Sequence, residues 1–118
     1  MENTNMFEKL KQAGADVEGT MGRFMGNESL YLKFLRKFPE DGTYDEMQKA
    51  YQAGDVETVF RASHTIKGVT ANLGLNPLME SVIPVVECCR KGQMPSEEDM
   101  KAVETCYFRM VDIIREFE

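Results

Sequence analysis

The sequence contains little of the chemistry that metal centres need. It has a single histidine, His64, and only three cysteines. The cysteines, Cys88, Cys89 and Cys106, form no C-x-x-C pair, and none lies at zinc-ligand spacing from the histidine. We therefore expect no metal site, and reduced thiols that act as small apolar side chains.

Motifs of enzyme active sites are also missing. The chain has no Gly-rich phosphate loop, no nucleophile elbow and no Glu-x-x-His pair for a carboxylate-bridged metal. It has no nucleotide-binding region of a kinase either, so autophosphorylation from ATP is not expected. These absences argue against an enzyme.

Long apolar runs are absent as well. No run approaches the roughly 20 residues that a bilayer requires, and the N-terminal MENTNMFEKLKQAG has no apolar signal-peptide core. The formal net charge of −6 opposes binding to nucleic acid and to anionic lipid. We expect a cytoplasmic protein with neither as a partner. The starting Met and the length of one domain favour a free-standing protein.

What the sequence does contain is a series of residues that typically begin and end helices. No segment shows sustained period-2 alternation, so no sheet is expected, and 118 residues fit one domain, 1–118. Asn27, Asp55 and Ser96 are predicted N-caps, Thr43 with Glu46 a capping box, and Pro77 a first helical position. The predicted helices cover about 4–13, 16–25, 27–38, 43–54, 55–73, 76–92 and 96–118.

Apolar residues recur at alternating spacings of three and four in two of these helices. In the last helix they are Met100, Val103, Tyr107, Met110, Ile114 and Phe117; in the His64 helix the same spacing links Val56, Val59, Ser63, Ile66, Thr70 and Leu73. With short connections, these seams predict an all-α fold: an antiparallel up-down-up-down four-helix bundle over about 43–118, with short N-terminal helices over about 4–38 packed on it.

Two further segments carry expectations of their own. In the third helix one apolar stripe is predicted, made of Leu30, Tyr31, Phe34, Leu35 and Phe38. Pro84 lies inside the sixth helix, where it removes a backbone donor. We expect a kink there and not a chain break, because the apolar pattern continues through it. The methionines are expected to fill the core.

Helix geometry places His64 away from the core. At 100° per residue it lies roughly 130° from the mean direction of its seam, so it faces solvent or a partner. Its face also holds five neighbours, namely Phe60, Arg61, Lys67, Gly68 and Ala71.

This group of residues suits a phosphoryl group on the imidazole. Neutral imidazole is a nucleophile near physiological pH, and Arg61 and Lys67 bring positive charge to an acidic protein. Gly68 costs the helix about 1 kcal/mol relative to alanine, and its bare backbone leaves room beside His64. From spacing alone, a solvated polar face with an incidental glycine explains the residues equally well.

The segment Ala62–Leu75, ASHTIKGVTANLGL, resembles the signature of histidine phosphotransfer (HPt) domains of bacterial two-component phosphorelays. In that signature the histidine is followed by Lys-Gly at i+3 and i+4. The upstream stretches GRFMGNESLYLKFLRKF and AYQAGDVETVF and the final amphipathic helix resemble such domains too. Pro84 departs from the family pattern, which puts the straightness of its helix in doubt.

The resemblance implies the site and its partners. His64 would accept the phosphoryl group through Nε2, Lys67 would help to neutralise it, and Gly68 would give access. Phe60, Arg61 and Ala71 would contact the partner. The family uses no ATP or cofactor of its own, and Mg²⁺ belongs to the partner's receiver domain. The implied partners are response-regulator receiver domains and a hybrid sensor histidine kinase, bound by a monomer. An adaptor that docks receivers without accepting phosphate is the alternative, and the intact His64 argues against it.

Overall fold

The computed structural model of the chain describes residues 2–117 and contains only helical elements over that range. The predicted all-α fold is therefore confirmed. The predicted domain limits, 1 and 118, fall on two residues outside the described range. The α-helices are α1 (Glu2–Gln12), α2 (Val17–Arg23), α3 (Glu28–Lys37), α4 (Thr43–Gln52), α5 (Val56–Asn72), α6 (Asn76–Arg90) and α7 (Glu97–Glu116), and a 3-10 turn (Phe38–Glu40) follows α3.

Helices α4 to α7 form the predicted four-helix bundle. α5 packs mainly against α4 and α6, and α6 packs against α7. The directions alternate: Arg90, at the end of α6, lies over the ring of Phe60, which is near the start of α5. The Tyr51 hydroxyl, at the end of α4, donates to the Pro95 carbonyl just before α7. α1 and α3 pack on α7 outside the bundle.

The helix caps follow the sequence with two exceptions. Asp55 accepts a hydrogen bond from the Thr58 N–H at 3.1 Å, as its predicted capping role requires, and Asn27 and Ser96 also cap. The capping box at Thr43 and Glu46 is wrong. The Asp41 carboxylate accepts from the Thr43 N–H at 2.9 Å and from its hydroxyl at 2.6 Å. Thr43 is thereby held inside the first turn, and Gly42 becomes the N-cap.

The second exception is at α6, where Pro77 is the second helical residue and not the first. The helix then continues through Pro84 to Arg90, so the expected absence of a chain break is confirmed. Pro84 itself is exposed, while Val82 and Val85 on either side of it are buried. The kink stays a prediction.

The core contains the predicted seam positions of α5 and α7, with Val56 and Phe117 only half-buried at the ends. The predicted stripe of α3 is wrong in part: Leu30 is 38% and Phe34 44% exposed, whereas Leu32 is buried. The inward direction of α3 lies between Tyr31, Leu35 and Leu32, which turns Leu30 and Phe34 about 90° or more away. Most methionines are buried or half-buried as expected, and Met25 is exposed.

The N-terminal helices attach to the bundle where α5 ends. Gly74 has a φ of +72°, and a Cβ there would collide with the Thr20 side chain and the Asp16 carbonyl. Its own carbonyl accepts from the Asp16 N–H at 2.8 Å. The buried hydroxyl of Tyr31 donates to the Leu73 carbonyl at 2.8 Å. The N-terminal segment is thus fixed at the C-terminal end of α5.

Candidate functional site

Helix α5 carries all six residues singled out in the sequence. Its buried side includes two hydroxyls that find partners within the helix: Ser63 Oγ donates to the Phe60 carbonyl at 3.1 Å, and Thr70 Oγ1 donates to the Ile66 carbonyl at 2.7 Å. Neither polar seam residue leaves an unpaired buried atom. The inward direction of α5 is therefore well defined, and His64 is exposed on the opposite side, as the helical angle predicts.

The His64 imidazole lies beside an aromatic ring. The rings of Phe60 and His64 have centroids 5.9 Å apart and are tilted by 31°. Phe60 is half-buried, and the Arg90 guanidinium carbon lies 5.4 Å from its ring centroid, at cation–π distance. The imidazole is thus flanked by a ring that α6 helps to hold.

Three basic side chains surround this face. Arg61 is exposed and its Nη2 is 3.4 Å from Thr58 Oγ1, a long contact. Arg90 pairs loosely with Glu87 on its own helix, with Nε and Oε1 3.4 Å apart. Lys67 is half-buried and forms no ion pair with any residue from 5 to 117. Its ammonium group is available to an incoming anion.

The exposed face of α5 after His64 carries small residues. A Cβ placed on Gly68 would meet no atom within 4 Å, so no neighbour in the fold requires a glycine there. Ala71, one turn further, is exposed, and its carbonyl accepts a hydrogen bond of 2.9 Å from Arg23 Nη2. Small residues therefore clear the approach to His64 from the C-terminal half of α5.

Sequence reasoning missed Arg90 and Arg23, which reach the α5 face from other helices. Arg90 is the last residue of α6 and Arg23 the last of α2. Both residues lie at a helix end that the sequence predicts to within two residues, but only the pairing of helices brings them to α5. The predicted antiparallel pairing of α5 and α6 was the signal that could have placed the end of α6 near Phe60.

No group of three or more potential ligand side chains in the described part of the chain is arranged to hold a metal ion. The three cysteines are free thiols, and Cys89 is buried, which raises the pKa of its thiol. Nor does any helix of the described segment combine the length and apolar character needed to cross a bilayer.

The family model of the Hpt domain matches residues 30–116, a range that contains α5, His64 and the whole four-helix bundle. Neither a curated protein nor a solved structure shows significant similarity to the chain. Because the matched range covers most of its length, the chain belongs to the Hpt domain family, which supports a histidine phosphotransfer role in phosphorelays.

Proposed function

We propose that the protein carries a phosphoryl group on His64 between receiver-domain aspartates. The observation that carries this proposal is the exposure of the sole histidine on α5 of an Hpt-family bundle. The phosphoryl donor would be an aspartyl phosphate of a hybrid sensor kinase or of a response regulator. The protein would act as a carrier and not as a kinase.

The proposed reaction is an in-line transfer. The Nε2 lone pair of neutral His64 forms a bond to phosphorus while the bond from phosphorus to the aspartate oxygen breaks. The aspartate leaves as a carboxylate, and the proton on Nδ1 stays on the ring. The reverse reaction passes the group to the next receiver. Negative charge spreads over three phosphoryl oxygens in a loose transition state, which makes nearby cations useful.

The residues around His64 receive separate roles. Lys67 contributes a positive charge one helical turn from the imidazole. Gly68 leaves space for the partner's loops, and Phe60, Arg61 and Ala71 form the contact surface. Mg²⁺ and the acidic residues that bind it are supplied by the receiver, so the chain needs no cofactor. A cytoplasmic monomer suits this exchange.

The proposal is tested by label transfer. A receiver domain phosphorylated with ³²P is mixed with the protein, and we expect label on the protein that is acid-labile and base-stable, as phosphohistidine is. His64→Gln should take up no label and should keep its helical circular dichroism, because an exposed side chain makes few core contacts. Arg109→Gln, a surface change on α7, is the control. Full uptake of label by His64→Gln would refute the assignment of His64 as the phosphoryl acceptor. If the wild type bound the receiver but took up no label, the protein would be an adaptor that docks receivers without accepting phosphate.

A further inference from the structure

The His64 imidazole is not held by a hydrogen bond. Neither ring nitrogen takes part in any hydrogen bond within the described part of the chain. Functional histidines are often oriented by a hydrogen bond to one nitrogen while the other reacts. Here the packing of the imidazole against its neighbours must decide where Nε2 points.

Phe60 is the aromatic neighbour of the imidazole. It lies four residues before His64, which places the two side chains next to each other on the helix surface. Their ring centroids are 5.9 Å apart and their planes are tilted by 31°, a separation at which aromatic pairs attract each other. Phe60 is also half-buried against the core. Its ring therefore has a support in the bundle that the exposed imidazole lacks.

Arg90 covers the ring of Phe60 from the neighbouring helix. Its guanidinium carbon lies 5.4 Å from the ring centroid, and its Nε lies 3.4 Å from Glu87 Oε1. The contact joins the last residue of α6 to the second turn of α5. A cation over the face of an aromatic ring is attracted by the electron density of that face. Arg90 therefore restrains Phe60 from outside α5.

Orientation of the imidazole matters for the proposed reaction. In-line transfer requires the Nε2 lone pair to point at phosphorus, and a ring that is already oriented loses less freedom on the way to the transition state. Neither Phe60 nor Arg90 has to touch the phosphoryl group to have this effect. Their role would differ from that of Lys67, whose charge acts on the phosphoryl oxygens.

We propose that Phe60 and Arg90 are positioning residues for phosphoryl transfer. Arg90 fixes the ring of Phe60, and this ring holds the His64 imidazole in the orientation from which Nε2 attacks phosphorus. The inference rests on the function proposed above and adds a second role to the partner contact assigned there to Phe60. In this arrangement Arg90 acts only through Phe60, and that dependence can be measured.

The contact is tested by proton NMR of the imidazole. His64 is the sole histidine, so its ring protons are assigned directly, and a nearby aromatic ring shifts their resonances. At the high-pH plateau, Phe60→Leu should move both resonances towards the values of histidine in an unstructured peptide, and Arg90→Gln should move them part of the way. Lys91→Gln is the matched control, because it removes the adjacent exposed charge without removing the contact with Phe60.

The chemical effect is tested with phosphoramidate, a small donor that needs no docking. Nε2 forms the bond to phosphorus, the phosphorus–nitrogen bond of the donor breaks, and ammonia leaves. Labelling should slow about twofold to tenfold in Phe60→Leu and about twofold to fivefold in Arg90→Gln, the factors that correspond to one aromatic pair and one exposed cation–π contact. Arg90→Lys should recover part of the rate, and Lys91→Gln should keep the wild-type rate.

The double variant separates positioning from direct action on the phosphoryl group. If Arg90 acts through Phe60, Arg90→Gln should slow labelling no further in the Phe60→Leu background. If the two effects multiply instead, Arg90 acts without Phe60 and the proposal is overturned. Wild-type resonances and labelling rates in folded Arg90→Gln overturn it too. Thermal melts check the fold, and Arg90→Gln, at an exposed position, decides if Phe60→Leu unfolds.

Failure of the proposed function would give a different result. A wild type that is labelled by phosphoramidate but exchanges with no receiver refutes the phosphorelay role, and the labelling rates of the variants still decide whether Phe60 and Arg90 position His64. Normal exchange with a receiver, together with unchanged phosphoramidate labelling in both single variants, refutes the positioning role alone.

Discussion

At Gly68, a side chain should stabilise the helix but obstruct the proposed partner. Open space surrounds the position, so Gly68→Ala should raise the free energy of unfolding by about 1 kcal/mol, because alanine has the higher helix propensity. Gly68→Gln should fold as well but slow transfer from a receiver, since its side chain would occupy the approach to His64. Urea unfolding and transfer rates measure the two effects. Wild-type transfer in Gly68→Gln would disprove the access role.

Lys67 is expected to act on the phosphoryl group more than on the fold. Lys67→Ala should slow transfer or shorten the phosphohistidine half-life without abolishing either, because water screens a charge at a partly exposed site. Lys67→Arg should retain more activity than Lys67→Ala, since it keeps the charge. Half-life, transfer rate and melting temperature are compared. A large loss of stability with unchanged transfer would make Lys67 a packing residue instead.

Among the elements, the connection from α5 to α6 fixes the N-terminal segment to the bundle. Gly74→Ala should lower the free energy of unfolding by about 2–3 kcal/mol, because a side chain is strained at a positive φ and would also collide with Thr20. Gly92→Ala is the matched control: Gly92 has a φ of +79° but open space around it, so only about 1 kcal/mol is expected. Equal losses at Gly74 and Gly92 would mean that the contact with α2 contributes nothing.

The sequence predicted α5 better than α3 for a physical reason. In α5 the seam repeats over five turns, so its inward direction, and with it the exposure of His64, follows from periodicity alone. In α3, Leu30, Leu32 and Phe34 are all apolar, and only the neighbouring helices decide which of them is buried. Periodicity gives a face of one helix. It does not give contacts between helices, so Arg23 could not be placed at all, and Arg90 only through the predicted antiparallel pairing of α5 and α6.

A neighbouring side chain explains the error at Thr43. A Thr followed three residues later by Glu satisfies the capping-box pattern, in which the Glu46 side chain would accept from the Thr43 N–H. Asp41, two residues before Thr43, accepts from that N–H instead. A carboxylate that accepts from both the amide and the hydroxyl of Thr43 leaves the threonine side chain no role as a cap. Local patterns therefore predicted where α4 begins to within one residue, but not which side chain begins it.

For the whole molecule, Tyr31 joins the N-terminal helices to the bundle. The rings of Phe7 and Phe24 stack on it, with centroids 5.5 Å and 5.2 Å away, and its hydroxyl donates to Leu73 at the end of α5. Burial of the hydroxyl raises the pKa of Tyr31 to about 12, because a phenolate would lose its hydration there. The fold thus depends on a protonated tyrosine, and its stability depends on pH.

The raised pKa determines the sign of that dependence. An unfolded chain loses the tyrosine proton near pH 10 and the folded protein near pH 12, so the stabilisation is complete below pH 10 and is lost as the pH rises towards 12. By pH 11 the loss from Tyr31 should be about 1.4 kcal/mol. Burial also raises the pKa values of Tyr44, Tyr107 and Cys89, so the wild type alone cannot isolate this contribution.

Comparison with Tyr31→Phe isolates the contribution of the Tyr31 hydroxyl to the pH dependence of stability. At pH 7 the variant should be less stable by about 1 kcal/mol, because the Leu73 carbonyl loses its donor. Between pH 9 and pH 11 the wild type should lose its advantage, since the variant has no phenol to ionise at this site, while both proteins keep the slopes from Tyr44, Tyr107 and Cys89. Urea unfolding at half-unit intervals of pH gives the two curves. Parallel curves over that range would show that the Tyr31 hydroxyl ionises as readily in the folded protein as in the unfolded chain.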